Sequence, residues 1–294
     1  MLRRIHSKLK TEGLDGLLRV AYRRISPYRP PGFKLCTPLF ENKVGLEIGG
    51  PSDMFKRKGS LPIYPVAGRI DNCNFGHQTV WEGSIKEGST FRYDKNRPPG
   101  TQYVAEAGQL GDIASSTYDF VLSSHMLEHS ANPLKALTEW IRVLKEGGLL
   151  VLLLPHRDTT FDHRRPITTL DHLIQDFEQG TTEADMTHLE EILKLHDLSK
   201  DPEAGTPEQF AERSRKNFEN RCLHQHVFDT QLAVEVVNHS GLQILAVDAF
   251  RPDNILLMAK KIVKGQTPQN ESFRGVRAKY HQSSPFPSDR RSIK

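Results

Sequence analysis

Residues 118–155 read YDFVLSSHMLEHSANPLKALTEWIRVLKEGGLLVLLLP. Two almost wholly apolar runs, YDFVLSS (118–124) and GLLVLLLP (148–155), enclose a segment of different period. Asn132 is placed to cap a helix, Pro133 suits its first position, and Leu134, Leu137, Ile141 and Leu144 form one stripe before Gly147 stops it. Strand, helix, strand in this order is a βαβ unit. Strands apolar on both sides belong at the centre of a parallel sheet that is covered on both faces.

Outward from this unit the pattern repeats. VGLEI (44–48), RIDNCNF (69–75) and TQYVAEA (101–107) read as three earlier strands. DTQLAVEVVNHSG (229–241) reads as a helix, followed by the strands LQILAVDAF and NILLMAKKI joined at RPD. Residues 156–226 interrupt the regularity: they are rich in histidine and charge, with helical patterns at 169–178, 187–196 and 207–219. A regular crossover needs far fewer residues, so the stretch reads as a lid or substrate-binding insertion. The expected architecture is α/β, a doubly wound and mainly parallel seven-stranded sheet over residues 36–262, with a helical insertion after the fifth strand.

The ends have other compositions. Residues 2–25 carry a helical apolar stripe among arginines and lysines, expected to dock on the domain, with a basic membrane-surface helix as the alternative; SPYRPPG (26–32) ends it. Residues 1–35 are therefore a basic helix and linker. The polar tail at 263–294 is expected to be disordered.

The totals limit the function. A formal charge of +4 over 294 residues is too small to argue for nucleic acid. Three scattered cysteines, Cys36, Cys73 and Cys222, form neither a disulfide framework nor a zinc cluster, so a reducing cytoplasm is expected. No apolar stretch reaches the roughly 20 residues that cross a bilayer. His188 with Glu191, and His224 with His226, raise the question of a metal; with thirteen histidines and no H-E-x-x-H pattern, none is assigned.

The decisive turn is GLEIGGPSDMF (45–55), a strand that breaks at two glycines and a proline. Such a turn lets a ligand approach the backbone, and an acidic residue on the next strand suits ribose hydroxyls; Asp71 lies 24 positions after Glu47. Neither G-x-G-x-x-G nor a P-loop fits.

Taken in order, GLEIGG, Asp71, YVAEAGQL (103–110), YDFVLSSHMLEH (118–129) and WIRVLKEGGLLVLLLP (140–155) resemble the successive motifs of class I S-adenosylmethionine-dependent methyltransferases. PHRDTTFDHRRPITTLDHLIQDF (155–177) resembles a methyltransferase type 11-like bacterial subgroup, some members of which relate to glycan modification. The resemblance implies a Rossmann-like fold and S-adenosyl-L-methionine as cofactor. It implies that Glu47 orders the turn and meets the cofactor's amino group, directly or through water. Gly49 and Gly50 would hold the methionine moiety, Asp71 the ribose, and Glu106 and Ala107 the adenine. Ser123, Ser124 and His125 would lie near the sulfonium. Pro51 replaces the usual second glycine.

Methyl transfer is an in-line displacement, and a hydroxyl acceptor also needs a base; histidine suits it. His125, His156 and His163 are the candidates, with His129, His224 and His226 beside them and Arg164 and Arg165 as a clamp for an anionic group. The expected reaction is O-methylation of a small molecule or sugar. The alternatives are a catalytically silent cofactor-binding or scaffold protein, and an RNA methyltransferase.

Overall fold

The computed structural model describes residues 28–291, so the helix expected at 2–25 lies outside the described residues. Ten strands occur among the described residues: β1 (Val44–Ile48), β2 (Arg69–Asn74), β3 (Gln78–Thr79), β4 (Gly83–Ser84), β5 (Gly88–Phe91), β6 (Gly100–Val104), β7 (Tyr118–Ser124), β8 (Leu144–Pro155), β9 (Gln243–Phe250) and β10 (Asn254–Lys260). Eight make one sheet in the order β5-β6-β2-β1-β7-β8-β10-β9, and β3 with β4 form a separate ribbon. The run from β6 to β8 is parallel, whereas β10 enters antiparallel between β8 and β9. The seven expected strands are all present; the eighth is β5, antiparallel on β6 at the edge.

Both faces of the sheet are buried, and β8 shows how. Leu150, Leu152 and Leu154 join the cluster under Leu134, Leu137 and Trp140. The alternate residues Leu149, Val151 and Leu153 face Phe33, Phe40, Phe55 and Tyr64 on the other side. This is strand period two, with each side chain given its own core. The helix Pro133–Val143 is capped as expected, with the Asn132 side chain accepting from Lys135 N. It ends earlier than Gly147, because Leu144 already begins β8.

The insertion holds helices Leu170–Gln179, Leu189–Leu195, Pro207–Arg215 and the single turn Asn217–Asn220. Residues 263–291 correct the expectation of disorder. Asn270 accepts from Ile244 N at 2.8 Å and donates to Leu242 O at 2.8 Å, fixing the segment to the edge of β9. Phe286 is fully buried and stacks on His156 with centroids 3.9 Å apart. Asp289 accepts from Thr230 Oγ1 at 2.7 Å and Ser284 Oγ at 2.6 Å. A few well-placed side chains anchor a polar segment that averaged composition reads as too polar to fold. No helix among the described residues is long and apolar enough to cross a membrane.

The tail is therefore part of the folded unit. Phe286→Ala should cost about 3–5 kcal/mol of unfolding free energy in a denaturant titration, as for other buried aromatics; a change below about 0.5 kcal/mol would mean that the tail does not pack.

Candidate active site

At the carboxyl ends of β1, β2, β6 and β7 lies a cavity of about 380 Å³. That is where parallel sheets of this topology take their ligands, and the volume is within the range of small-molecule sites. Its floor is the turn after β1. Gly49 has φ +80° and lines the cavity, and a Cβ there would approach Met126 Cγ to 3.0 Å. The next peptide, Gly50-Pro51, is cis, and Pro51 faces the cavity.

Three buried side chains hold this turn from beneath. Asn72 accepts from Gly50 N at 3.1 Å and donates to Gly50 O at 3.2 Å. Asn74 donates to the same carbonyl at 3.3 Å. Glu47 accepts from Ser52 N at 3.0 Å and from the Tyr64 hydroxyl at 2.7 Å. Glu47 thus lies beneath the turn, and its carboxyl group does not line the cavity. Nor does Gly50, whose missing Cβ leaves room for that carboxylate: an added Cβ would lie 2.1 Å from Glu47 Cδ.

Of the other expected residues, Glu106, Ala107, Ser124 and His125 line the cavity with Gly49. Ser124 Oγ accepts from Ser52 Oγ at 3.1 Å, tying the end of β7 to the turn. His125, at φ +52°, places its Nε2 3.0 Å from Asn254 Oδ1 of β10. With that contact read as Nε2–H donating to the amide oxygen, Nδ1 is left as the acceptor nitrogen.

Five further expectations are corrected. Asp71 is the third residue of β2, level with Leu46, and accepts from Thr101 N at 2.8 Å and the Tyr118 hydroxyl at 2.9 Å. It lies inside the sheet because β2 runs three residues further; Asn74 occupies the carboxyl end and lines the cavity instead. Ser123 points into the protein and is fully buried. His156 is also fully buried: its Nδ1 accepts from Asp158 N at 3.1 Å, and its Nε2 faces Asp289 at 3.3 Å, so no nitrogen is left for a substrate. His163 sits in the insertion against Asp197 at 2.8 Å, away from the cavity. The expected arginine clamp is not formed either. Arg164 pairs with Asp197, and buried Arg165 binds Asp162, Glu191 and the carbonyls of His224 and Gln225.

The sequence did not point to Asn74, Phe75, Trp81, Glu183 or Arg221, all of which line the cavity. Arg221 bridges Glu106 at 2.7 Å and Glu183 at 3.2 Å and lies over the rings of Phe75 and Phe218. Glu183 and Arg221 come from the insertion, so that segment forms part of the wall. The one available signal was its position as an overlong crossover.

His129 lines the cavity but is a poor proton acceptor. Burial, and then neighbouring His224, pull its pKa down to about 3. Its Nδ1 donates to Leu223 O at 3.0 Å, and its Nε2 lies 3.9 Å from Glu128. Glu128 is fully buried, with both oxygens lacking hydrogen bonds among the described residues, and burial raises its pKa.

The strand order and the position of the cavity are those of a doubly wound α/β sheet that takes its ligand at the carboxyl edge. The family model described as a methyltransferase domain matches residues 83–152, and the resemblance read from the motifs stands. No curated protein matches the chain. Similar solved structures include SAM-dependent methyltransferases from Aquifex aeolicus, at 12% identity, 79% of this chain, 90% of that one and TM-score 0.40. A second, from Mesorhizobium loti, has 13% identity, 78% and 96% coverage and TM-score 0.46. A third, from Methanosarcina mazei, has 14% identity, 76% and 94% coverage and TM-score 0.43. The glycine cradle, the carboxyl-edge position and the cavity size fit S-adenosylmethionine, the cofactor that the matched methyltransferase domain implies.

The buried turn acid gives a pH test. Burial raises the Glu47 pKa to about 8, with the Tyr64 and Ser52 hydrogen bonds opposing. A carboxyl whose folded pKa is raised contributes stability that is present below the unfolded value of about 4.3 and lost as pH rises through the folded one. Between pH 5 and pH 9 the thermal midpoint of the wild type should therefore fall relative to that of Glu47→Gln; a constant difference across that range would refute the ionisation.

Proposed function

We propose that this methyltransferase transfers a methyl group to a hydroxyl of a small polar acceptor, of the sugar or glycan class. The observation that carries the proposal is a shared cavity: the Gly49 turn and strand ends line one side, and Glu183 and Arg221 of the insertion line the other. When bound, S-adenosylmethionine supplies an electrophilic methyl group on a sulfonium. Gly49 would take its methionine part, Asn74 the ribose, and Glu106 with Ala107 the adenine. Glu106 would do so while paired with Arg221.

The remaining chemistry belongs to the side chains. Carboxylate and guanidinium groups in the insertion wall, with Trp81 and Phe75 as apolar faces, match an acceptor that carries hydroxyls on a compact ring. His125 is the base: Asn254 fixes the ring, and Nδ1 accepts the hydroxyl proton. His129 is a wall residue, because a group with a pKa near 3 gains little from accepting a proton at neutral pH. The enclosing wall keeps water from competing for the acceptor's place.

Calorimetry of the full chain with S-adenosylmethionine and its demethylated product should show binding that Gly49→Arg abolishes without unfolding; no binding by folded wild type would overturn the cofactor assignment. With a panel of sugar and phenolic hydroxyl acceptors, His125→Asn should lower kcat by about 10²–10⁴ while cofactor affinity is kept. Cofactor binding with no transfer to any acceptor would favour a silent binding protein. Transfer to RNA alone would refute the acceptor class.

A further inference from the structure

Away from the cavity, the insertion gathers three imidazoles whose ring nitrogens lie within 4.8 Å of one another: His172, His188 and His226. They come from three separate segments. His172 is in the first turn of helix Leu170–Gln179, His188 immediately precedes helix Leu189–Leu195, and His226 lies where the insertion rejoins the sheet. Asp176, one turn after His172 on the same helix face, supplies a carboxylate to the group. His172 Nε2 is 3.1 Å from His188 Nε2 and 3.4 Å from Asp176 Oδ2. His226 Nε2 is 3.7 Å from the same carboxylate oxygen and 3.4 Å from Ala131 O.

Ordinary hydrogen bonding does not account for the cluster. One proton shared between His172 and His188 leaves Asp176 Oδ2 buried and without a hydrogen bond among the described residues. Asp176 is 8% exposed and His226 1%. Buried polar atoms without partners are costly, so such a group needs another explanation. A cation supplies one. Four donors at about 2.0–2.1 Å from a tetrahedral ion lie roughly 3.3–3.4 Å apart, close to the contacts observed here.

We infer that His172, His188 and His226, with Asp176 beside them, form a structural site for a divalent transition ion of the zinc type, which ties the insertion to the sheet. Histidine nitrogens with one carboxylate are a borderline donor set that suits zinc over magnesium or calcium. Thr181 Oγ1 donates to the other Asp176 oxygen at 3.0 Å, holding the carboxylate in place as second-sphere groups do. His172 and His188 need only carry their ring protons on Nδ1 to offer Nε2. The inference does not depend on the chain transferring methyl groups.

A second group, Glu128 with His129 and His224, has the same residue types beside the cavity, so the experiment must separate the two. Full-length protein, freed of any affinity tag and treated with chelator, is titrated with Zn2+ in the presence of a chromophoric competitor. About one equivalent should bind, with affinity weakened more than tenfold in His188→Gln and in Asp176→Asn, and unchanged in His129→Gln. Zn2+ should also raise the thermal midpoint of wild type but not of His188→Gln. If His188→Gln loses its far-ultraviolet circular dichroism, His172→Gln takes its place. Binding of less than about 0.2 equivalents by wild type overturns the site. So does affinity that survives the His188 or His172 and Asp176 substitutions, or that is lost in His129→Gln.

Discussion

Everything at the ligand-facing edge depends on the path of two residues, Gly49 and Gly50. That path is set by groups beneath it: the Asn72 amide brackets both polar atoms of the Gly50 peptide, and the Glu47 carboxylate fills the space a side chain at position 50 would take. A single such hydrogen bond contributes only about 1 kcal/mol net, but losing one partner leaves a buried group unsatisfied at a cost of about 1–3 kcal/mol. Gln102 from β6 completes the support, lying 3.0 Å from Asn72. The turn is therefore fixed by three neighbouring strands together. This makes the cradle a property of the sheet, able to stay in place whatever closes over it.

The insertion is held by a different means. Its own apolar cluster is small, formed by Ile192, Ala204, Phe210 and Leu223 with a few partly buried neighbours. Such a cluster offsets little of the ordering entropy of about seventy residues. Polar anchors do the rest: Arg165, buried among Asp162, Glu191 and two carbonyls, joins the start of the insertion to its end. Asp162 also binds His224, so one carboxylate serves both a guanidinium and an imidazole; burial opposes its ionisation, but His224 and Arg165 outweigh that and draw its pKa down to about 2. Removing one member of such a network costs more than its own bond, because the other members stay buried. The arginine that resembled a substrate clamp is a structural tie.

How much of this was legible in the sequence depends on the range of the interaction. The alternating leucines of β8, the Asn132 cap and the insertion helices are local, period-governed features, and they were read close to their actual bounds. Asp71 was misplaced for a reason of register. Counting from Glu47 locates the second strand, but only pairing shows that the strand continues to Asn74 before it reaches the ligand edge. The fate of His156 was not legible at all, because its partners Phe286 and Asp289 lie some 130 residues away. The same long-range contacts order a tail that its composition marks as too polar to pack. Edge strand β5 escaped notice because three of its four residues are exposed and give no apolar signal.

The histidines show why residue type alone could not select the base. His125, His129, His156 and His163 all stand near strand ends or in the loops after them, with the same ring and the same unperturbed pKa. What separates them is the second nitrogen and the surroundings. His156 uses both nitrogens on the protein, His163 faces Asp197 outside the cavity, and His129 is buried beside another imidazole that disfavours its protonation. His125 alone among these four combines a place on the cavity wall with one nitrogen held by Asn254. Its left-handed backbone conformation is uncommon for a residue with a Cβ and costs of order 1–3 kcal/mol, a cost sustained only where the surrounding contacts fix it. Here the fixing contacts are the bond from His125 N to Leu153 O at 3.0 Å and the ring's bond to Asn254. The two strands beside that loop, β8 and β10, thus decide which imidazole faces the cavity.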